Sequence, residues 1–157
     1  MKRFIILIIS FLCFTQAFSE EHLKFLGFPI DGTVNEYASK LMSKGFYISP
    51  DNKYASKGLR VMEGSFLENT ESFGLHYDTD TKKMYSVVFC HSFFKKEEAK
   101  ELYDKLESLL HEKHNEATYK SPLVGSFVSS CSFQSNKGII TLIIIEQDDD
   151  YQVKMSY

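Results

Sequence analysis

The sequence predicts an α+β fold of two halves, each a helix followed by antiparallel strands, with the helices packed on one face of the sheet. Three observations carry this expectation. Apolar residues recur at helical spacing in two stretches, about 33–44 and 95–115. Each stretch is followed by short runs rich in aromatic and β-branched residues, separated by polar turns. The same order therefore occurs twice, an αβββ-like tandem pseudo-repeat over about 23–91 and 92–157, with little residue identity between the copies.

From the N-terminus, Lys2 and Arg3 form a basic head, Phe4 to Phe14 is apolar apart from Ser10, and Thr15 to Ser19 leads into Glu20-Glu21. This is the layout of a secretory signal peptide over residues 1–19, with cleavage expected after Ser19 and cleavage after Ala17 as the alternative. Cys13 would suit a lipid-anchored chain, but Leu12 stands where such a site needs a small residue. The apolar run is shorter than the roughly 20 residues of a membrane-spanning helix, so no stable span is expected once it is removed. Residues 20–157 then read as a single α+β domain, long enough to bury a core without staples.

In the first helix, Thr33 precedes Glu36 by three positions, so each side chain can satisfy a free backbone N–H of the other. Val34, Tyr37, Ala38 and Leu41 share its apolar face, and Gly45 follows where helices end. In the second, Ala99, Leu102, Tyr103, Leu106, Leu109 and Leu110 form one stripe, with Glu101 and Lys105 paired four apart on the wet side. Strands are expected at 46–49, 59–66, 72–77 and 84–90, then at 117–119, 126–134, 139–146 and 152–157. Ser135 to Gly138 reads as a hairpin turn. Alternation of Val153, Met155 and Tyr157 with polar residues gives the last strand one buried and one wet face. Ile139 to Ile145 lacks alternation and is expected to be covered on both faces.

Charge and cysteine usage narrow the function classes. Residues 1–19 carry two of the 18 basic side chains and none of the 21 acidic ones, leaving 16 against 21 and a net charge of about −5. That balance argues against nucleic acid as a partner, because reading a phosphate backbone needs a basic stripe. It suits a periplasmic or secreted protein. Cys90 and Cys131 remain; in an exported chain they permit one disulfide, and two buried free thiols are the equal alternative.

The candidate chemistries each meet an obstacle. Asp148-Asp149-Asp150 and Asp78 to Lys83 fall where hairpins must turn, and neither has the alternating oxygens, glycine and late glutamate of a calcium loop. Gly32-Thr33 lacks the lysine of a phosphate-binding loop, and Asp31 would repel the anion. No Gly-x-Ser-x-Gly stretch exists, and Gly64-Ser65 and Gly125-Ser126 read as strand glycines. Cys90 and His91 are strand neighbours that point to opposite faces, which separates thiol from imidazole. His111 and His114 lie three apart, not four, and read as a polar helix end. His22 and His76 are isolated. No catalytic residue, cofactor or metal ligand is therefore assigned.

A resemblance completes the reading. The stretches LGFPIDGTVNEYASKLMSKGF (26–46), MEGSF (62–66), YSVVF (85–89), LYDKLESLLHEKH (102–114), CSFQSNKGIITLII (131–144) and VKMSY (153–157) resemble a family of small exported proteins of Bacteroides-type gut bacteria. As a fold, the arrangement is similar to the tandem-repeat fold of the β-lactamase inhibitory protein and to small outer-membrane assembly factors. The family resemblance implies no catalytic residues. The function expected is a non-enzymatic exported module binding a protein or glycan through an open sheet face. An inhibitor or immunity-type protein, acting through a protruding loop at 50–58 or 67–71, is the alternative, and a hydrolase with an unrecognised site the second.

Overall fold

Thr33 sets the first helix in place. Its backbone is extended, its Oγ1 accepts the Glu36 N–H at 3.3 Å, and the Glu36 carboxylate accepts the Thr33 N–H at 2.7 Å. Both partners of the capping box predicted from residue types are thus present. The computed structural model describes residues 22–50, 57–67, 69–114, 118–119 and 126–157. The expectations for the signal peptide over 1–19 and for Gly125 lie outside the described residues.

In chain order the elements are a small hairpin, β1 (Lys24–Phe25) and β2 (Phe28–Pro29), then helix α1 (Val34–Met42), then strands β3 (Tyr47–Ile48), β4 (Leu59–Phe66), β5 (Asn69–Tyr77) and β6 (Met84–Phe93). Helix α2 (Lys96–Lys113) follows, then β7 (Thr118–Tyr119), β8 (Phe127–Ser135), β9 (Gly138–Gln147) and β10 (Asp150–Ser156). No strand was expected from the sequence at the first hairpin. Its turn is Leu26-Gly27, with φ values of 52° and 86°. Two successive positive angles suit the right-handed twist of a tight hairpin, and glycine lowers the strain at the second.

The eight strands β3 to β10 form one antiparallel sheet in the order β3-β4-β5-β6-β10-β9-β8-β7. This overturns the expected α+β architecture of two helix-plus-strand halves with helices packed on the sheet. The molecule is a mainly antiparallel β protein, with ten strands and two helices among the described residues. At its centre β6 pairs with β10 from Tyr151↔Phe93 through Ser156↔Val88, so the strands before and after α2 join in one continuous sheet. The reason for the misreading is physical. Helical periodicity is a local signal, and it drew weight to two short segments. Which strand pairs with which is decided by contacts between residues far apart in the chain, and these leave no local trace.

One sheet face carries every fully buried strand residue. Met62, Phe73, Leu75, Val87 and Phe89 line it on one side, and Cys131, Ile140, Leu142, Ile144 and Val153 on the other, all within one hydrophobic cluster. Helix α1 contributes Val34, Tyr37, Ala38 and Leu41, and α2 contributes Ala99, Tyr103, Leu106 and Leu110. Phe46, directly after α1, stacks edge-on with Phe73 at 5.5 Å between ring centroids. Its ring reaches over Gly64, where an added Cβ would run into it, so the glycine is what allows this close approach. The isoleucine strand corrects a second expectation. Ile140, Leu142 and Ile144 are buried, while Ile139 is 53% exposed and Ile143 and Ile145 are only half-buried. β9 is covered on one face, and its missing alternation reflects apolar residues left on the other.

Candidate functional site

The acidic stretches are turns. Asp78 Oδ1 accepts from the Asp80 N–H, the Thr81 N–H and the Thr81 hydroxyl at 3.2, 2.7 and 2.8 Å, closing the link from β5 to β6. Those hydrogen bonds, first from the Thr81 backbone, hold its carboxyl below the ordinary value. Asp148, in the link from β9 to β10, has φ 54°, a conformation that aspartate tolerates better than most residues. No group of three or more His, Cys, Asp or Glu side chains converges on one point among the described residues. At Gly32-Thr33 the Glu36 carboxylate occupies the helix start, so the backbone donors an anion would need already have an anionic partner.

The two cysteines face opposite sides of the sheet. Cys131 points into the core beside the Tyr103 phenol, while Cys90 lies on the open face, 4.0 Å from Gln152. Both are free thiols. With β10 and β9 between β6 and β8, they stand three strand spacings apart, about 14 Å. A disulfide needs Cα atoms within about 7 Å, so this pair is not bridged. Burial pushes the Cys90 thiol above its ordinary value, which keeps it unreactive.

Cys90 and His91 are separated as strand geometry requires. His91 instead faces the helix side, where its Nδ1 lies 2.8 Å from Glu71 Oε2. The register Phe73↔Phe89, continued by two residues, puts Glu71 opposite His91. Glu71 is 6% exposed, a carboxylate buried in the sheet with an imidazole beside it. An ionised carboxylate only accepts, so in this contact the ring nitrogen facing Glu71 is the donor. The imidazole also packs against Phe93 at 4.5 Å. Together they form one wall of a cavity of about 330 Å³, closed by Leu67 and by Glu98, Glu101, Leu102 and Lys105 of α2.

This dyad is an imidazole oriented by a buried carboxylate. Among the described residues lining the cavity there is no serine, threonine or cysteine for it to activate, so a nucleophilic triad is not assembled. The sequence reading missed Glu71 because the pair is made across strands, between residues 20 apart in the chain. The available signal was a glutamate placed among aromatic residues in a strand. His111 and His114, by contrast, flank the Phe133 ring, at 5.0 and 6.4 Å between centroids. The His114 N–H closes the last turn on the Leu110 carbonyl.

The other distinctive surface is the far side of the sheet. Its cross-strand rows run Cys90–Lys154–Ile143–Ser130 and Ser92–Gln152–Ile145–Phe127. Ile139, Thr141, Ile143 and Ile145 form a column along β9, and Phe127, 41% exposed, stands beside Ile145. The segment expected as an inhibitory loop at 67–71 is partly strand. Asn69 pairs with Phe66 and residues 69–71 belong to β5, while Glu68 lies outside the described residues. Most of the other loop, residues 51–56, lies outside the described residues.

No family model matches this chain, and neither does any curated protein or solved structure. Among the described residues no helix is long and apolar enough to cross a membrane.

Proposed function

We propose that the protein is an exported, non-enzymatic binding module that docks a protein partner on the open face of its sheet. The observation that carries this is the open face of β9, where Ile139, 53% exposed, Ile143 and Ile145 stand with Thr141 among them, beside the exposed Phe127 of β8 and serine, glutamine and lysine of the neighbouring strands. An open antiparallel face is ordinarily polar, and exposed apolar residues grouped on it among polar ones are what mark an interaction surface. Branched aliphatic side chains favour a protein over a glycan, since sugars are held by flat aromatic platforms and hydrogen-bonding groups. The N-terminal signal-peptide pattern and the resemblance to small exported proteins support placement in the periplasm or outside the cell. An inhibitory or immunity role is the case in which the partner is a hydrolase.

The test pairs wild type with an Ile139→Lys/Ile143→Lys variant, each immobilised at equal density. A specific partner from envelope extracts should be retained by wild type and lost at least tenfold in the variant, with thermal unfolding unchanged. Equal retention, or a wild type that associates only with itself in light scattering, would overturn the reading. A hydrolase reading draws on the Glu71–His91 pair. Turnover of ester or peptide substrates that His91→Gln abolishes would replace the binding proposal.

A further inference from the structure

The cavity of about 330 Å³ beside the Glu71–His91 pair lies on the helix side of the sheet, between the start of β5, the end of β6 and the first half of α2. The proposed docking face is on the other side. Apart from Glu71, every residue lining the cavity is half-buried or exposed, so its walls present surface to a ligand. Two of its charges are already answered, Glu71 by His91 at 2.8 Å and Glu98 by Lys95 at 3.0 Å. The other two are Glu101 and Lys105, one of each sign and one helical turn apart. Their spacing led us to expect a pair, yet among the described residues no ion pair joins either of them to the other or to a third group. Glu71 adds an acceptor. His91 engages its Oε2, while Oε1 accepts no hydrogen bond from a described residue, on a side chain that lines the cavity and is only 6% exposed.

We propose that this cavity binds a free α-amino acid with an apolar side chain, its ammonium held by Glu101 and Glu71 Oε1 and its carboxylate by Lys105. The volume lies at the lower end of small-molecule sites, roughly 300–1,000 Å³, which suits a ligand of this size. An ammonium has three donors and can answer both carboxylates, while a carboxylate only accepts and needs the lysine. Lysine places a compact charge on a flexible stem, so it can reach a ligand seated deeper than itself. Phe93 and Leu102, both half-buried, offer the apolar wall for the side chain. A lone amine would leave Lys105 unanswered, and a lone carboxylate would leave Glu101 and Glu71 Oε1 so. A peptide carries its two terminal charges at opposite ends, whereas the free amino acid brings them to one carbon. Direct pairing of Glu101 with Lys105 is the rival to a ligand, but an exposed pair of this kind contributes little and is readily displaced.

The experiment uses protein recovered after expression of the full chain. Leucine, phenylalanine and glycine are titrated by calorimetry at neutral pH beside leucinamide, which lacks the carboxylate, and N-acetylleucine, which lacks the ammonium. Leucine or phenylalanine should bind one per chain. Leucinamide and N-acetylleucine should each bind at least tenfold more weakly than leucine, and so should glycine, which buries no side chain. Glu101→Gln should cost leucine at least tenfold and leave N-acetylleucine unchanged. Lys105→Met should leave leucine no tighter than leucinamide. Both positions are exposed, so thermal unfolding should not change in either variant. Glu71→Gln, which keeps an acceptor for His91, should weaken leucine about as much as Glu101→Gln does. Leucinamide or N-acetylleucine binding wild type as tightly as leucine, indifference of leucine to Glu101→Gln or Lys105→Met, or absence of saturable binding by both leucine and phenylalanine would overturn the proposal.

Discussion

Glu71 and Gly64 face each other across the β4–β5 ladder, and each is decided by what lies above it. Gly64 is a gap into which the Phe46 ring fits; Glu71 is a carboxylate whose burial is offset by one imidazole. A charge left without a partner in such a place costs more than a well-made pair contributes. Truncating His91 to alanine should therefore destabilise the protein by about 1–3 kcal/mol, the penalty for a buried acceptor left unsatisfied. Glu71→Leu/His91→Leu should cost less than the sum of the two single changes to leucine, because it removes the orphan along with its partner. Denaturant unfolding of the four proteins in the cycle measures this, and strict additivity would show the pair to be energetically idle.

The elements show how unequally local chemistry specifies structure. Helix α1 is anchored by a cap legible from four residues. Replacing Thr33 with alanine should cost about 1 kcal/mol at neutral pH. The Thr33 backbone N–H, and then its hydroxyl, hold the Glu36 carboxyl below its ordinary value of 4.5. A folded carboxylate with a lowered value contributes stability that is present above the unfolded value and lost as pH falls through the folded one. The cost of Thr33→Ala should thus shrink as the pH is taken down through the carboxylate range, and a cost constant down to the acid limit would assign the effect to the hydroxyl alone. Helix α2 was plain from its stripe, with Ala99, Tyr103, Leu106 and Leu110 buried as the spacing required, although Leu102 is half-buried and Leu109 is 37% exposed. β9 was legible as a strand but not as a half-covered one, since six apolar residues broken only by Thr141 hide which face is wet. The β1–β2 hairpin was missed because two-residue strands leave no pattern long enough to read.

At the scale of the molecule, the sheet is a single body joined through β6 and β10, and its outermost strands β3 and β7 are two residues long. Short edges limit edge-to-edge pairing with other chains, which leaves the flat open face as the larger surface for contact. The same layout separates the thiols. Reductant should leave the thermal midpoint unchanged, and two thiols in residues 20–157, Cys90 and Cys131, should react with an alkylating reagent after denaturation without prior reduction. A midpoint that fell on reduction would contradict the strand order. In the native protein Cys90 should react slowly, because burial raises its thiol and less of it is thiolate.

What the sequence by itself determined is local. It specified the capping box at Thr33, the apolar stripe of α2, the aspartate turns, most strand positions and the separation of Cys90 from His91, because each depends on side chains a few residues apart. Tertiary structure alone decided the rest. It set the order of eight strands, the burial of Glu71 against His91, the exposure of the β9 isoleucines and the meeting of Glu71, Phe93 and Glu101 around one cavity. Each of those joins residues distant in the chain, and their proximity arises only when the whole core closes and the cost of bringing those segments together is met by the apolar surface they bury.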